Sequence, residues 1–322
     1  MTKSSRPFFQ KKSRWIFSLA LALTVVITGF QIWNEPPLSA YEGKEVSKIL
    51  EMMPQKDKER LEYFFREYIG WEEMGYVLFG GKPMALTGKD KKLHPFKSFS
   101  SFLYAISPRR IQFKNGFETW QKYEKFFPMK RFVFLYDETE SEVNGLFINK
   151  ESFLQKVQHY ADDFKRILNR DVTGEELLKE GMEKSLLSEV LCDHDLLMGI
   201  LFGFGRNNAY LFHQRSQLSS KEERMSFCKK YNFGDPWKKE FEELDGKCKG
   251  IGWISAYITG DHLKNLELIM FPGFYAALND PETLQIKEEF LQTRKKIIDF
   301  YKGKDFLAAT LQALTSDYTD RE

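Results

Sequence analysis

Residues Trp15 to Trp33, WIFSLALALTVVITGFQIW, contain no charge, and Gln31 is their one strongly polar side chain. Hydrocarbon offers no partner to a peptide group, so such a run must pair its own backbone and form a helix. About 20 residues at 1.5 Å each span roughly 30 Å, the thickness of a bilayer core. Tryptophan at both ends suits the two interfaces. Lys3, Arg6, Lys11, Lys12 and Arg14 precede the run, which places the amino terminus in the cytoplasm and the body outside it. The expected order is a basic tail (1–14), a membrane-spanning or signal helix (15–33), a tether (34–43) and an exported body (44–322), periplasmic or extracellular. Secretion after cleavage near Ala40 is the alternative, but Leu38 departs from a small-x-small site and the run exceeds the roughly 7–15 apolar residues of a cleaved signal.

The formal charge of the whole chain is +2, yet residues 1–40 alone contribute +4, which leaves the body at −2. A body of that charge lacks the positive field of a nucleic-acid binder, so no nucleic-acid partner is expected. The basic cluster SPRRIQFK around Arg109 reads as a solvated turn after Pro108. Cys192, Cys228 and Cys248 leave at least one thiol unpaired, and Cys228–Cys248 is the nearest pair for a disulfide. Cys192-x-His194 lacks the paired cysteine spacing of a zinc site, so neither metal nor cofactor is predicted.

Apolar periodicity organises the body. Leu61, Phe64, Phe65, Tyr68 and Ile69 fall on one helical stripe, followed by a glycine-rich loop with a short strand at MALT. Asn115 is placed as the cap of a helix whose face is Phe117, Trp120, Tyr123 and Phe127. RFVFLYDETESEVNGLFINK reads as a hairpin, with polar turn residues and Asn144-Gly145 between two apolar runs. One helix is expected through Phe153, Val157, Tyr160, Phe164 and Ile167. The next is opened by a Thr173/Glu176 capping box and carries Leu177, Leu178, Met182, Leu186 and Leu187. GIGWISAYITG and LELIMFPGFYAAL read as strands or buried irregular segments. A last amphipathic helix is stopped by Gly303, and Asp305 caps a short helix after it. Helices outnumber strands and the strands come as hairpins. The predicted fold is therefore α+β, a predominantly helical single domain with one or two β-hairpins behind the amino-terminal helix.

DHDLLMGILFGFGRNNAYLFHQR, residues 193–215, superficially resembles a phosphate-binding loop. Gly203-x-Gly205 does not complete a dinucleotide fingerprint, because Asn208 occupies the third position and a capped helix, not a strand, comes first. The better reading is a structural corner. Asp193 or Asp195 caps a helix bearing Leu196, Leu197, Ile200 and Leu201. Gly199 and Gly203, one turn apart, admit a neighbouring backbone, and Gly205 permits the exit into a second helix from Arg206. Arg206, Asn207 and Asn208 then satisfy end groups. Should the corner carry function, His194, Arg206, Asn207 and His213 are the ligand-binding candidates, suited to an anion or a sugar.

MGYVLFGGK (74–82) and MGILFGFGR (198–206) share Met-Gly at the start and Gly-basic at the end. GYVLFGGKPM and HDLLMGILFGFGRNNAYLF resemble stretches of uncharacterised exported proteins from chlamydia-like intracellular bacteria. That resemblance implies no fold, activity or ligand, since the family has no assigned function. Hydrolase motifs such as G-x-S-x-G and H-E-x-x-H are missing from the sequence. His159 and His262 read as surface residues, and His94 sits in a loop before Pro95. Catalytic residues stay unassigned. The expected function is binding or interaction with a protein or glycan partner in the cell envelope, the membrane being engaged through residues 15–33. The competing expectation is an envelope hydrolase or transferase acting on a glycan, lipid or peptide.

Overall fold

A computed structural model describes residues 36–90, 108–138, 142–248 and 265–316. The Trp15–Trp33 run, His94, His262 and GIGWISAYITG lie outside them. Among the described residues, no helix is long and apolar enough to cross a membrane. The chain divides after Lys56 into two units. The first holds a 3-10 turn, Leu38–Tyr41, and helix α1 (Val46–Met52). The Tyr41 hydroxyl donates to the Met52 carbonyl at 3.2 Å, so the end of the expected tether is locally folded.

Helix α2 (Gln55–Gly70) lies in the second unit from Asp57 onward, and its stripe of Leu61, Phe64, Phe65, Tyr68 and Ile69 is buried. Below it lies a three-stranded antiparallel sheet of β1 (Met84–Asp90), β2 (Phe132–Glu138) and β3 (Glu142–Asn149), in the order β1–β3–β2. Tyr68 pins α2 to the sheet by donating to the carbonyls of Ala85 and Gly145 at 3.3 and 3.1 Å. Phe134 and Phe147 face each other across β2 and β3 with rings 4.8 Å apart. The hairpin is therefore present, but Asn144-Gly145 lies inside β3, not in the turn. Gly145 is glycine for a different reason, since a Cβ there would stand 3.0 Å from the Phe117 ring.

Helix α4 (Pro108–Tyr123) overturns two expectations. Residues 108–114 of SPRRIQFK form the first two turns of this helix, with proline where its missing N–H is harmless. Asn115 lies mid-helix, and its carbonyl accepts from Thr119 Oγ1 at 2.7 Å. Arg109 is buried because Glu67 on α2 draws it in, accepting from Nε at 2.8 Å and also from an η nitrogen, while Trp71 lies under the guanidinium at 4.6 Å. Phe117, Trp120, Tyr123 and Phe127 are buried as the spacing implies.

The helix expected from Phe153 to Ile167 is broken at Tyr160 into α5 (Lys150–His159) and α6 (Ala161–Leu168). The Thr173/Glu176 capping box opens α7 (Gly174–Glu183), which ends before Leu186. A π-helical turn, Leu186–Val190, carries the remaining leucines, and Met182 points outward. LELIMFPGFYAAL forms a 3-10 turn at Leu266–Leu268 and then the short strand β5 (Ala276–Ala277), which pairs with β4 (Phe233–Gly234). Helix α12 (Pro281–Tyr301) and α13 (Phe306–Thr315) close the unit, with Gly303 at φ +72° and Asp305 capping α13 through the Ala308 amide.

The short helix α3 (Met74–Phe79) packs on α12 through two glycines. A Cβ on Gly75 would lie 2.8 Å from Ile297 Cδ1, and one on Gly80 would lie 2.7 Å from Thr293 Oγ1. Tyr76 stacks edge-on against Phe290 and donates to the Met270 carbonyl at 3.0 Å. The architecture is mostly helical with a small antiparallel sheet, an α+β fold.

Candidate functional site

Helices α8 (Asp195–Leu201) and α9 (Arg206–Ser216) meet at the glycine corner. His194, and not either aspartate, caps α8, its Nδ1 accepting from the Leu196 amide at 3.3 Å. Cys192 and Asp193 before it are both left-handed, with φ of 54° and 50°. Leu196, Leu197, Ile200 and Leu201 are buried. Gly199 lies against α9, where its Cβ would be 2.5 Å from that of Ala209. Gly203 does not share that contact. It adopts φ +75° and faces Pro83 and Lys82 instead, while Gly205 adopts φ +86° beneath Glu282 and Ile286 of α12.

The four polar candidates separate to opposite ends of α9, so the single expected pocket does not form. Arg206 donates twice to Asp163, at 2.5 and 3.0 Å, and chiefly this bond holds the Asp163 carboxyl below its ordinary range. Asn207 donates to Asp280 at 2.8 Å. The first amides of α9, those of Arg206 and Asn207, both donate to Glu282 at 3.0 Å. This helix end therefore carries its own carboxylate, which takes the place an incoming anion would need. Asn208 does what a corner residue should: it donates to the Phe204 carbonyl at 2.9 Å and accepts from the Ala277 amide and Thr283 hydroxyl. At the far end the His194 and His213 rings stack at 4.6 Å. His213 Nδ1 lies 3.3 Å from the Asp195 carboxylate, which also accepts from Ser216 Oγ at 2.7 Å. Burial, and then the neighbouring His213, lower the His194 pKa.

Lys82 is the residue that sequence reasoning missed. Its side chain is fully buried, with Nζ 2.9 Å from Glu73 and donating to the Phe202 carbonyl. The Phe204 ring lies 4.5 Å from the ammonium. Glu73 itself is left-handed at φ 66°, and its second oxygen accepts from the Gly273 amide at 2.8 Å. The two look-alike segments thus meet in space, the last residue of one inserted beside the phenylalanines of the other.

Two cavities flank those phenylalanines. The smaller, about 190 Å³, is lined by Trp71, Glu72, Glu73, Leu86, Phe202 and Phe204. Glu72 keeps some surface open to it, yet burial first, and then Glu67 and Glu73, push its pKa up to about 7, against the pull of Arg109. A carboxyl raised in the fold binds more protons folded than unfolded between pH 4.5 and about 7. Stability from this group is therefore present at acidic pH and lost as pH rises through that window, by about 2–3 kcal/mol. Glu72→Gln should flatten the slope and raise stability at pH 7.5. Denaturant melts at pH 5 and pH 7.5 would show it, and an unchanged slope would remove Glu72 as the cause.

The larger cavity, about 260 Å³, is an aromatic groove walled by Met198, Phe202, Phe204, Phe212, Phe274 and Tyr275, with Asp195 and Asn208 also in its lining. Phe204 and Phe274 stack at 5.0 Å and 6°, while Phe212 and Tyr275 stand 39% and 47% exposed at the rim. Among the described residues no group of His, Cys, Asp and Glu is set to hold a metal. Cys192 and Cys228 are free thiols, which overturns the Cys228–Cys248 pairing. No family model matches the chain, and neither a curated protein nor a solved structure does.

Proposed function

We propose that this chain is a binding protein of the cell envelope, anchored through residues 15–33, whose groove at the glycine corner takes an apolar, ring-bearing group of its ligand. The groove carries this reading: aromatic faces line it and its rim rings are exposed. Drug-sized pockets begin at roughly 300 Å³, so a volume of about 260 Å³ suits one side-chain-sized group of a protein or glycan-linked partner. The reading as a hydrolase or transferase has less support. His194 and His213 stack on each other outside the groove wall, Arg206 is bound to Asp163, and Glu73, the carboxylate beside Glu72 in its cavity, is taken up by Lys82 and the Gly273 amide.

Gly273 lines the groove, and a Cβ there would meet nothing within 4 Å. Gly273→Leu should therefore fill the groove while leaving the melting temperature unchanged. Titrating N-acetyltryptophanamide into the wild-type chain should shift methyl resonances of Met198, and the Gly273→Leu variant should lose the effect. An unresponsive Met198, or equal binding by the filled variant, would rule the groove out.

A further inference from the structure

A cavity of about 710 Å³ in the second unit lies away from the corner and falls within the size range of small-molecule sites. Its making is visible in the sequence. Glu289, Gln292, Thr293, Lys296 and Phe300 recur at helical spacing and share one face of α12. Ala309 and Ala313, one turn apart on α13, and Gly81 after α3 leave the space that larger side chains would occupy. Gly81 in particular has open space where a Cβ would stand.

Three cations from separate parts of the chain line this cleft: Arg131 ahead of β2, Lys296 on α12, and Lys304 between α12 and α13. Glu289 is its single carboxylate, so the lining carries +2 on a body whose total is −2. A concave wall of one sign concentrates field on what enters it. Phe79 and Phe300 form an apolar base, rings 4.6 Å apart, and the Lys304 ammonium lies 3.9 Å above the Phe300 ring.

We propose that this cleft is a second binding site, for a phosphate monoester whose organic part rests on Phe79 and Phe300. A phosphate monoester brings about −1.5 to −2 charges and three acceptor oxygens at pH 7, which matches the +2 lining; a carboxylate brings one. Arg131 supplies the planar fork that pairs with two phosphate oxygens, and the lysines supply point charges. The same headgroup occurs on soluble esters and on phosphatidate at a membrane surface.

Calorimetric titration of the full chain with phenyl phosphate, inorganic phosphate and benzoate tests the chemistry, and flotation with phosphatidate vesicles tests the lipid source. Phenyl phosphate should bind at least tenfold more tightly than benzoate and more tightly than inorganic phosphate, and added salt should weaken it. Lys296→Glu/Lys304→Glu should weaken binding at least tenfold, and the milder Lys296→Gln/Lys304→Gln should weaken it several-fold with an unchanged melting temperature. Lys221→Glu/Lys229→Glu on helix α10 (Lys221–Tyr231), which does not line the cleft, should bind as wild type. Phenyl phosphate binding with flotation no greater on phosphatidate than on phosphatidylcholine vesicles assigns a soluble ester, and a phosphatidate excess lost in the lysine variants assigns a lipid headgroup. Benzoate binding as tightly as phenyl phosphate, neither probe binding, or equal loss in the α10 control would overturn the site.

Discussion

Gly205→Val should lower the melting temperature of the protein by about 6–12 °C, at roughly 2–4 °C per kcal/mol for a body of this size. Two penalties add. At φ +86° a β-branched residue costs about 1–2 kcal/mol in backbone strain. Its Cβ would also stand 2.7 Å from both the Glu282 carboxyl carbon and Ile286 Cδ1, and crowding of that kind costs about 1–3 kcal/mol. The Glu282 carboxylate has no easy retreat, because it also accepts from the first two amides of α9. Gly203→Val should cost less, since only Pro83 Cδ, at 3.2 Å, crowds it beyond the strain. His213→Ala, on a side chain 31% exposed, should stay within about 0.5 kcal/mol of wild type. Thermal melts of the three variants decide the matter, and a wild-type melt for Gly205→Val would sink the structural reading of the corner.

Glu73→Ala should cost about 3–5 kcal/mol, because it leaves the Lys82 ammonium among phenylalanine rings with only a carbonyl for company. Burial already lowers the pKa of Lys82 below 10.5, and Glu73 is what opposes that shift. A lysine depressed in the fold binds fewer protons folded than unfolded, so stability rises with pH between its folded value and 10.5. The Glu73→Ala variant should consequently regain stability at alkaline pH more than wild type does. Lys82→Met should be milder, about 1–3 kcal/mol, since Glu73 is 21% exposed and keeps the Gly273 amide. Glu73→Gln/Lys82→Met removes both charges and should recover most of the loss. A double-mutant cycle read by denaturant melts should give a coupling above about 1 kcal/mol, and additive effects would show the pair to be incidental.

Local rules found the elements governed by local physics. The α2 stripe, the capping box at Thr173 and Glu176, and the Asp305 cap are all set within four residues of sequence, and all are present. Errors arose wherever a distant partner decided the outcome. Nothing within SPRRIQFK signals that Glu67, 42 residues earlier, buries Arg109. Asn144-Gly145 has turn chemistry, but the pair lies inside β3, where the Phe117 ring stands 3.0 Å from the place of a Gly145 Cβ. Of the site candidates, the corner glycines were legible because glycine spacing speaks about backbone approach. The gathering of His194, Arg206, Asn207 and His213 was not, because Asp163 and Glu282 take up one end of α9 and Asp195 the other. Lys82 had one faint signal, the shared Gly-basic ending of two apolar segments, which gave no reason to expect them side by side.

The glycine-mediated seat of α3 on α12 sets a schedule for synthesis. Gly75 and Gly80 close against Ile297 and Thr293, more than 200 positions further along the chain. At about 5–20 residues per second, the face of α3 waits roughly 10–40 s after its own synthesis for the helix that covers it. During that interval Met74, Tyr76, Val77 and Leu78, all buried in the finished protein, have no α12 to cover them. A nascent chain of this design depends on something else to keep that face from sticking until its last two helices have emerged.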